Sequence, residues 1–208
     1  MKKYFQLIIL LSSIQIPGFT QSFDLQQLLK DKKLNTNGRN VMPLSDGKRQ
    51  GISSNGIVWL NSVEFSNGTI EIDLRGKDVP QQSFLGIAFH GVDTVTYDAI
   101  YFRPFNFQSS DPVRKIHAVQ YISEPDYPWH KLREEKNGKY EKGIDPPPSA
   151  TAWFHARIEV RGSAITVYVN NSTAPSLTVD KLNSRKDGMI GIWAEGLNGD
   201  FANLTINK

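Results

Sequence analysis

Cysteine is missing from all 208 residues. The chain therefore has no disulfide framework and no lipid-modified cysteine behind a leader, and its stability has to come from a core. Long apolar runs are also scarce. The longest, Leu7 to Ile16, is broken by Ser12, Ser13 and Gln15 and reaches roughly half of the ~20 residues a bilayer-crossing helix needs. No membrane span is expected. Charge of one sign is lacking too: the formal net charge is +3 and falls to +1 once Lys2 and Lys3 are set aside, which argues against a partner such as nucleic acid. Arg114-Lys115 and Arg185-Lys186 read as solvated loop ends. His90, His117, His130 and His155 are scattered without metal-ligand spacing, and neither a G-x-S-x-G nor a P-loop pattern occurs.

The start of the chain, two lysines followed by the short apolar run and then Pro17, Gly18 and Thr20, has the build of a secretory signal peptide. We expect a leader over residues 1–21, cleavage near Thr20 or Gln21, and a secreted or periplasmic product. The remainder, 22–208, suits one domain.

Short strands dominate the rest of the chain. From Phe84 to Phe107 the pattern is that of a hairpin with its turn at Val92 to Val95. This register sets Gly86 opposite Tyr101, Ala88 opposite Ala99 and His90 opposite Tyr97. One face then collects Leu85, Ile87, Phe89, Ile100 and Phe102, a set that needs a second layer. The other carries Tyr97, Tyr101, Arg103 and His90 above small residues that leave room under the rings.

Elsewhere, Thr69 to Arg75 alternates cleanly, with Ile70, Ile72 and Leu74 inward. Phe154 to Val160 and Ile165 to Val169 flank a two-residue turn at Gly162-Ser163. In Met189 to Gly196, Ile190, Ile192 and Ala194 face the core while Trp193 and Glu195 face away. The ending needs a bulge after Ala202 to keep Phe201, Leu204 and Ile206 on one side. For Ile116 to Ser123 both faces carry apolar residues; the outward set is read as His117 with Tyr121, Gln120 being the other choice. Turn signals at Asn37-Gly38, Asp46-Gly47 and Asn55-Gly56 mark breaks between short strands. Residues 124–148 form a long Pro-containing stretch with one helical turn at Trp129 to Glu135, placed at the rim of a site.

The strands thus fall into two classes. Some alternate plainly between apolar and charged residues; others bear aromatics, glycine and isolated polar groups on their non-core side. A wet convex sheet packed on a concave ligand-binding sheet produces that difference. The fold expected is all-β, a jelly-roll β-sandwich of two antiparallel sheets.

The segments GTIEIDLRG, FLGIAFHG, YDAIYFRPFNF, VQYIS, WFHARIEVRGSAITVYVN, GMIGIWAEG and GDFANLTI, in that order, resemble the strands of the concanavalin A-like lectin/glucanase superfamily. More narrowly they are similar to its secreted bacterial laminin-G-like and 3-keto-disaccharide hydrolase-like domains. That resemblance covers Thr69 to Lys208 and implies a carbohydrate ligand on the concave sheet, without supplying an activity. Glu71-Ile72-Asp73 is similar to the catalytic strand of family 16 glycoside hydrolases, but Arg75 or Gly76 stands where the second glutamate belongs, so these carboxylates read as an outer face.

Three functions are expected as alternatives. A carbohydrate-binding domain would use Tyr97, Tyr101, Arg103, Asn106, His117, Gln120, Tyr121, Trp129 and Trp193, since an aromatic ring beside a hydrogen-bonding group holds both the apolar face and the hydroxyls of a sugar. A glycoside hydrolase on the same face would use Glu195 as acid or base, with Asp98, His90 or His117 as its partner. A laminin-G-like protein-binding adhesion module would use rim loops instead. No organic cofactor is expected; Asp200 is the candidate ligand of a structural Ca²⁺, as in similar sandwiches.

Overall fold

The computed structural model describes residues 20–47 and 49–208. The expected leader lies outside the described residues except for Thr20 and Gln21. Those two open β1 (Thr20–Phe23), an edge strand whose Thr20 and Gln21 pair with Asn207 and Ile206 at the other end of the chain.

After β1 come a short helix α1 (Leu25–Lys30), capped by the Asp24 carboxylate on the Gln27 amide, and two short strands, β2 (Leu34–Asn35) and β3 (Met42–Asp46). The long strand β4 (Arg49–Phe65) leads to β5 (Gly68–Arg75) and then to the hairpin β6 (Ser83–Gly91) and β7 (Tyr97–Phe102). Two single turns of helix, α2 (Pro104–Phe107) and α3 (Pro112–Lys115), precede β8 (Val119–Glu124), helix α4 (Trp129–Glu135) and the two-residue β9 (Glu141–Lys142). The chain closes with β10 (Phe154–Arg161), β11 (Ala164–Val169), β12 (Leu177–Asp180) and the 20-residue β13 (Gly188–Asn207).

Neighbouring strands run β12-β11-β10-β5-β13-β6-β7-β8-β9, all antiparallel. Two layers arise because β13 and β4 pass from one to the other. Residues Gly191 to Gly196 of β13 pair with β6, whereas Asp200 to Asn207 pair with β5, and the ladder between β13 and β4 jumps from Ala194/Gly56 to Gly199/Ser54. Gly56 and Gly196, both with positive φ, sit at the crossing. The sequence signal at Asn55-Gly56 is therefore a bend within one strand, not a break between two.

The alternation places the core where the pattern demands. Ile70, Ile72 and Leu74 of β5 and Ala156, Ile158 and Val160 of β10 turn inward, as do Leu85, Ile87 and Phe89 of β6. The layers meet through rings: Phe154 of β10 packs edge-on against Phe102 of β7 at 5.1 Å and against Phe107 of α2 at 5.2 Å. The expected bulge lies in the β13–β5 ladder between Ala202 and Thr205, with Asn203 at φ 53°. It resets the alternation so that Phe201, Leu204 and Ile206 are all buried.

A network on the opposite layer ties the amino-terminal strands down. Arg49 and Arg75 both lie over the Trp153 ring, Trp153 Nε1 donates to Asp46 at 3.0 Å, and Arg75 also pairs with Asp46 and Asp200. Among the described residues no helix is long and apolar enough to cross a membrane.

Candidate functional site

The concave layer bears a hollow of about 510 Å³ over β6, β7, β8 and β13. Its floor arises from one register: Trp193, Gly86 and Tyr101 stand side by side across β13, β6 and β7. Gly86 has no side chain to hold the flanking rings apart, so Trp193 and Tyr101 meet at 5.0 Å, tilted by 44°. Trp193 Nε1 donates to the Tyr97 hydroxyl at 3.2 Å. Burial, partly offset by that hydrogen bond and reinforced by the charges of Glu124 and Glu195, pushes the Tyr97 phenol up to about 12. These rings are a packed layer more than open platforms, for Tyr101 is only 2% exposed. The rings with more open surface are Phe84, Phe105 and Trp129, the last 45% exposed.

One wall is a buried charge cluster. Arg103, just beyond β7 and 4% exposed, donates from Nη2 to the Tyr101 hydroxyl at 2.5 Å and to Gln120 Oε1, and its Nη1 lies 3.5 Å from Glu141 Oε2. Arg133 of α4 grips the same carboxylate with both Nε (3.0 Å) and Nη2 (2.8 Å). His117 Nδ1 stands 2.8 Å from Glu141 Oε2 but out of line for a directed hydrogen bond. Burial opposes the charge on Glu141, yet Arg133, His117 and Arg103 outweigh it and hold the carboxyl below its usual range. Burial in turn lowers the His117 pKa despite Glu141 beside it. Two guanidinium groups thus share one buried carboxylate, and the wall keeps an excess of positive charge.

Two carboxylates also stand on the rim, as does Arg114. Glu195 is exposed at the hollow, and Glu124, half-buried at the end of β8, lines it as well. Burial raises the Glu124 pKa, His130 opposes the rise, and the negative charge of Glu195 adds to it. Asn106 Nδ2 donates to the His117 carbonyl at 3.0 Å, which leaves the buried Oδ1 of this lining residue without a partner.

The structure brings together Tyr97, Tyr101, Arg103, Asn106, His117, Trp129, Trp193 and Glu195 around one hollow. Gln120 lies on the same face but beneath it, fully buried under the Tyr101 hydroxyl and Arg103. Three expected members are elsewhere. Tyr121 alternates with Gln120 and therefore faces the other side, where its hydroxyl donates to Asp98 at 2.7 Å. Asp98 pairs with Phe89 and shares its inward direction; Tyr121, Asn183 and Arg185 surround its carboxylate. His90 does not sit opposite Tyr97 on the site face, because its φ of 49° turns the ring inward, to stack on Phe65 and approach Asp98 at 3.3 Å. Neither Asp98 nor His90 can therefore partner Glu195.

Asp200 has its carboxylate ion-paired with Arg75 at 2.9 Å. Both contacts from Arg75, through Nε and Nη2, fall on Oδ2 of that carboxylate, and among the described residues no three His, Cys, Asp or Glu side chains cluster.

Sequence reasoning does not reach Glu124, Arg133 and Glu141. Taking Gln120 as outward carries the alternation to Ile122 and Glu124. The spacing of Trp129 and Arg133, four apart on a helix, puts Arg133 under the indole, 5.0 Å from the ring centre.

A second hollow of about 430 Å³ adjoins the first and shares Tyr97, Trp193 and Glu195 with it. Its other lining comes from the amino-terminal segment, chiefly Asn37, Arg39 and Asn55.

Set beside solved structures, this architecture is that of the lectin-like β-sandwiches. It matches the carbohydrate-binding module CBM66 from Bacillus subtilis with a TM-score of 0.58 at 14% identity, covering 84% of this chain and 95% of that one. A Bacillus subtilis protein of unknown function with a galectin-like fold matches with a TM-score of 0.62 at 11% identity, covering 92% and 97%. The exoplasmic/lumenal domain of VIP36, in a form bound to Ca²⁺ and Man3GlcNAc, matches at 0.53 with 7% identity, covering 84% and 83%. At these identities the likeness is one of fold. Among curated proteins none matches the chain. The chain belongs to the 3-keto-alpha-glucoside-1,2-lyase-like domain family, whose model matches residues 24–207. That match includes the amino-terminal strands, which the sequence resemblance, confined to Thr69 onward, left out.

Proposed function

We propose that the protein binds carbohydrate in the hollow on its concave layer. The observation that carries this reading is the hollow itself, floored by the packed rings of Tyr97, Trp193 and Tyr101 and edged by the more open rings of Phe84, Phe105 and Trp129 beside charged groups. Apolar surface suits the C–H face of a sugar ring, and a few fixed polar groups suit its hydroxyls. The same fold serves a carbohydrate-binding module and a domain crystallised with Man3GlcNAc, which supports the reading. Affinity electrophoresis against a panel of soluble polysaccharides tests it. Retention by at least one glycan, weakened by Trp129→Ala, is expected. Retention by none would favour a protein-binding module with its contacts in the rim loops. The leader composition of residues 1–21 supports export to the periplasm or beyond, and the amino-terminal mass of the exported protein tests that point.

A second reading, cleavage of a glycoside on the same surface, is favoured by one observation: Glu195 has a carboxylate companion in Glu124, which burial and Glu195 itself bias toward the protonated form. In that reading Glu124 donates a proton to the departing oxygen while Glu195 acts as base. The family's description as lyase-like is consistent with bond cleavage. Release of reducing ends from the retained glycan, abolished in Glu195→Gln and in Glu124→Gln while retention persists, is the expected result. Retention without release by the wild-type protein would leave binding alone.

A further inference from the structure

We propose that the second hollow, beside Asn37, Arg39 and Asn55, is a further sugar subsite, so that the ligand is an oligosaccharide lying across Glu195 rather than a single terminal sugar. This deepens the carbohydrate reading and rests on it. Three observations carry the proposal.

First, the two hollows are neighbours by construction. Tyr97, Trp193 and Glu195 line both, and the hydrogen bond from Trp193 to Tyr97 makes the dividing wall a fixed feature. Glu195, exposed at the top of that wall, is within reach of a ligand in either.

Second, the second hollow offers both kinds of polar atom. Asn37 Nδ2 donates to the Ile57 carbonyl at 3.0 Å and Asn55 Nδ2 donates to the Gly196 carbonyl, so each amide has its Oδ1 to offer as an acceptor. Arg39 makes no ion pair among the described residues, and its guanidinium donors are open to water. Donors and acceptors in one small space match hydroxyl groups, each of which gives and takes a hydrogen bond. A carboxylate or phosphate would gain Arg39 but would also meet the charge of Glu195 and leave the two amide oxygens without donors; a purely apolar ligand would strand all of these groups.

Third, the backbone is shaped to hold Arg39 there. The turn after β2 puts the Arg39 amide on the Thr36 carbonyl at 2.9 Å. The side chain then runs over Gly56, where a Cβ would stand 2.7 Å from Arg39 Nε. Gly56 has φ 79°, at the bend where β4 leaves one layer for the other. The residues that make the two-layer crossing thus also bring the amino-terminal turn against the concave sheet.

Titration calorimetry with ladders of malto-, cello- and fructo-oligosaccharides of one to six units tests the inference. In the ladder that binds, affinity is expected to rise by about tenfold or more between one and three units. In Arg39→Ala that rise is expected to be lost, and in Arg39→Lys to be partly restored. Arg39 is exposed, so an unchanged unfolding midpoint certifies that the variants are folded. Equal affinity at every length, or an Arg39→Ala ladder that superimposes on the wild type, overturns the subsite and leaves the carbohydrate reading standing. No binding along any ladder overturns both.

Discussion

Trp193 and Tyr101 approach to 5.0 Å across Gly86, and the floor of the hollow depends on that approach. Any side chain at residue 86 would run into the Ile100 carbonyl and come within 2.7 Å of the Tyr101 Cα. Gly86→Ala is therefore expected to destabilise the protein by about 1–3 kcal/mol, as overpacked cores do, and to weaken glycan retention with it. Urea unfolding checks the first part. A loss under about 0.5 kcal/mol, the range of surface substitutions, would mean the strands part easily and the floor is not fixed by this glycine.

Glu141 is the hinge of the wall's electrostatics. At 2% exposed, it faces Arg103, Arg133 and His117. Glu141→Gln keeps the shape and removes the charge, leaving two guanidinium groups with no carboxylate between them. The expected cost is about 3 kcal/mol, the lower end for a broken buried pair, because the Arg133 side chain is 33% exposed. Thermal and urea unfolding measure it. An unaffected midpoint would show that water already screens the cluster.

The opposite layer should set the pH range of stability. Burial alone would raise the Asp73 pKa, but hydrogen bonds from His155, Asn203 and Arg49 outweigh it and bring it from 3.8 to about 2. The stabilisation is therefore complete above about pH 4 and is lost as pH falls through 2. The hydrogen bond to Asp73 raises the His155 pKa above 6.5, against burial and with help from Glu71. That contribution is complete below pH 6.5 and is lost as pH rises through the folded-state value. Wild-type stability should thus be highest between about pH 4 and 6.5, with both limbs flattened in Asp73→Asn. Urea midpoints from pH 2 to 9 give the comparison, and coincident profile shapes would contradict the assignment.

Trp129 offers the cleanest separation of binding from folding. It is 45% exposed on α4 and stacks on Arg133 at the rim. Trp129→Ala should weaken retention by up to about tenfold, the scale of one aromatic contact, with little change in stability. A variant that binds as the wild type does would remove α4 from the site.

Much of this is legible in the residues because alternation with a period of two survives wherever one face is buried. The Gly86–Tyr101 register, the inward sets of β5, β10 and β13 and the bulge after Ala202 all derive from it. The failures sit where that period breaks. His90 takes a positive φ and swings to the core side, a backbone event that no pattern of side chains announces. Asp98 is polar on an inward position because Tyr121, Asn183 and Arg185 satisfy it, partners 23 to 87 residues away in sequence. In β8 both faces are apolar, so the pattern does not tell Tyr121 and Gln120 apart. Glu141 reaches the wall through a two-residue strand, too short to carry a pattern. The contribution of Asn37, Arg39 and Asn55 depends on β4 and β13 changing layers together, which is a property of the whole fold.

Three of the four tryptophans allow the central claim to be tested in one experiment. Trp129 and Trp193 line the hollow, whereas Trp153 stands on the opposite layer under Arg49 and Arg75. In an NMR titration of the ¹⁵N-labelled protein with a retained glycan, the indole N–H signals of Trp129 and Trp193 should shift while that of Trp153 stays in place. A shift at Trp153 with the other two unmoved would put the ligand on the convex layer and contradict the account.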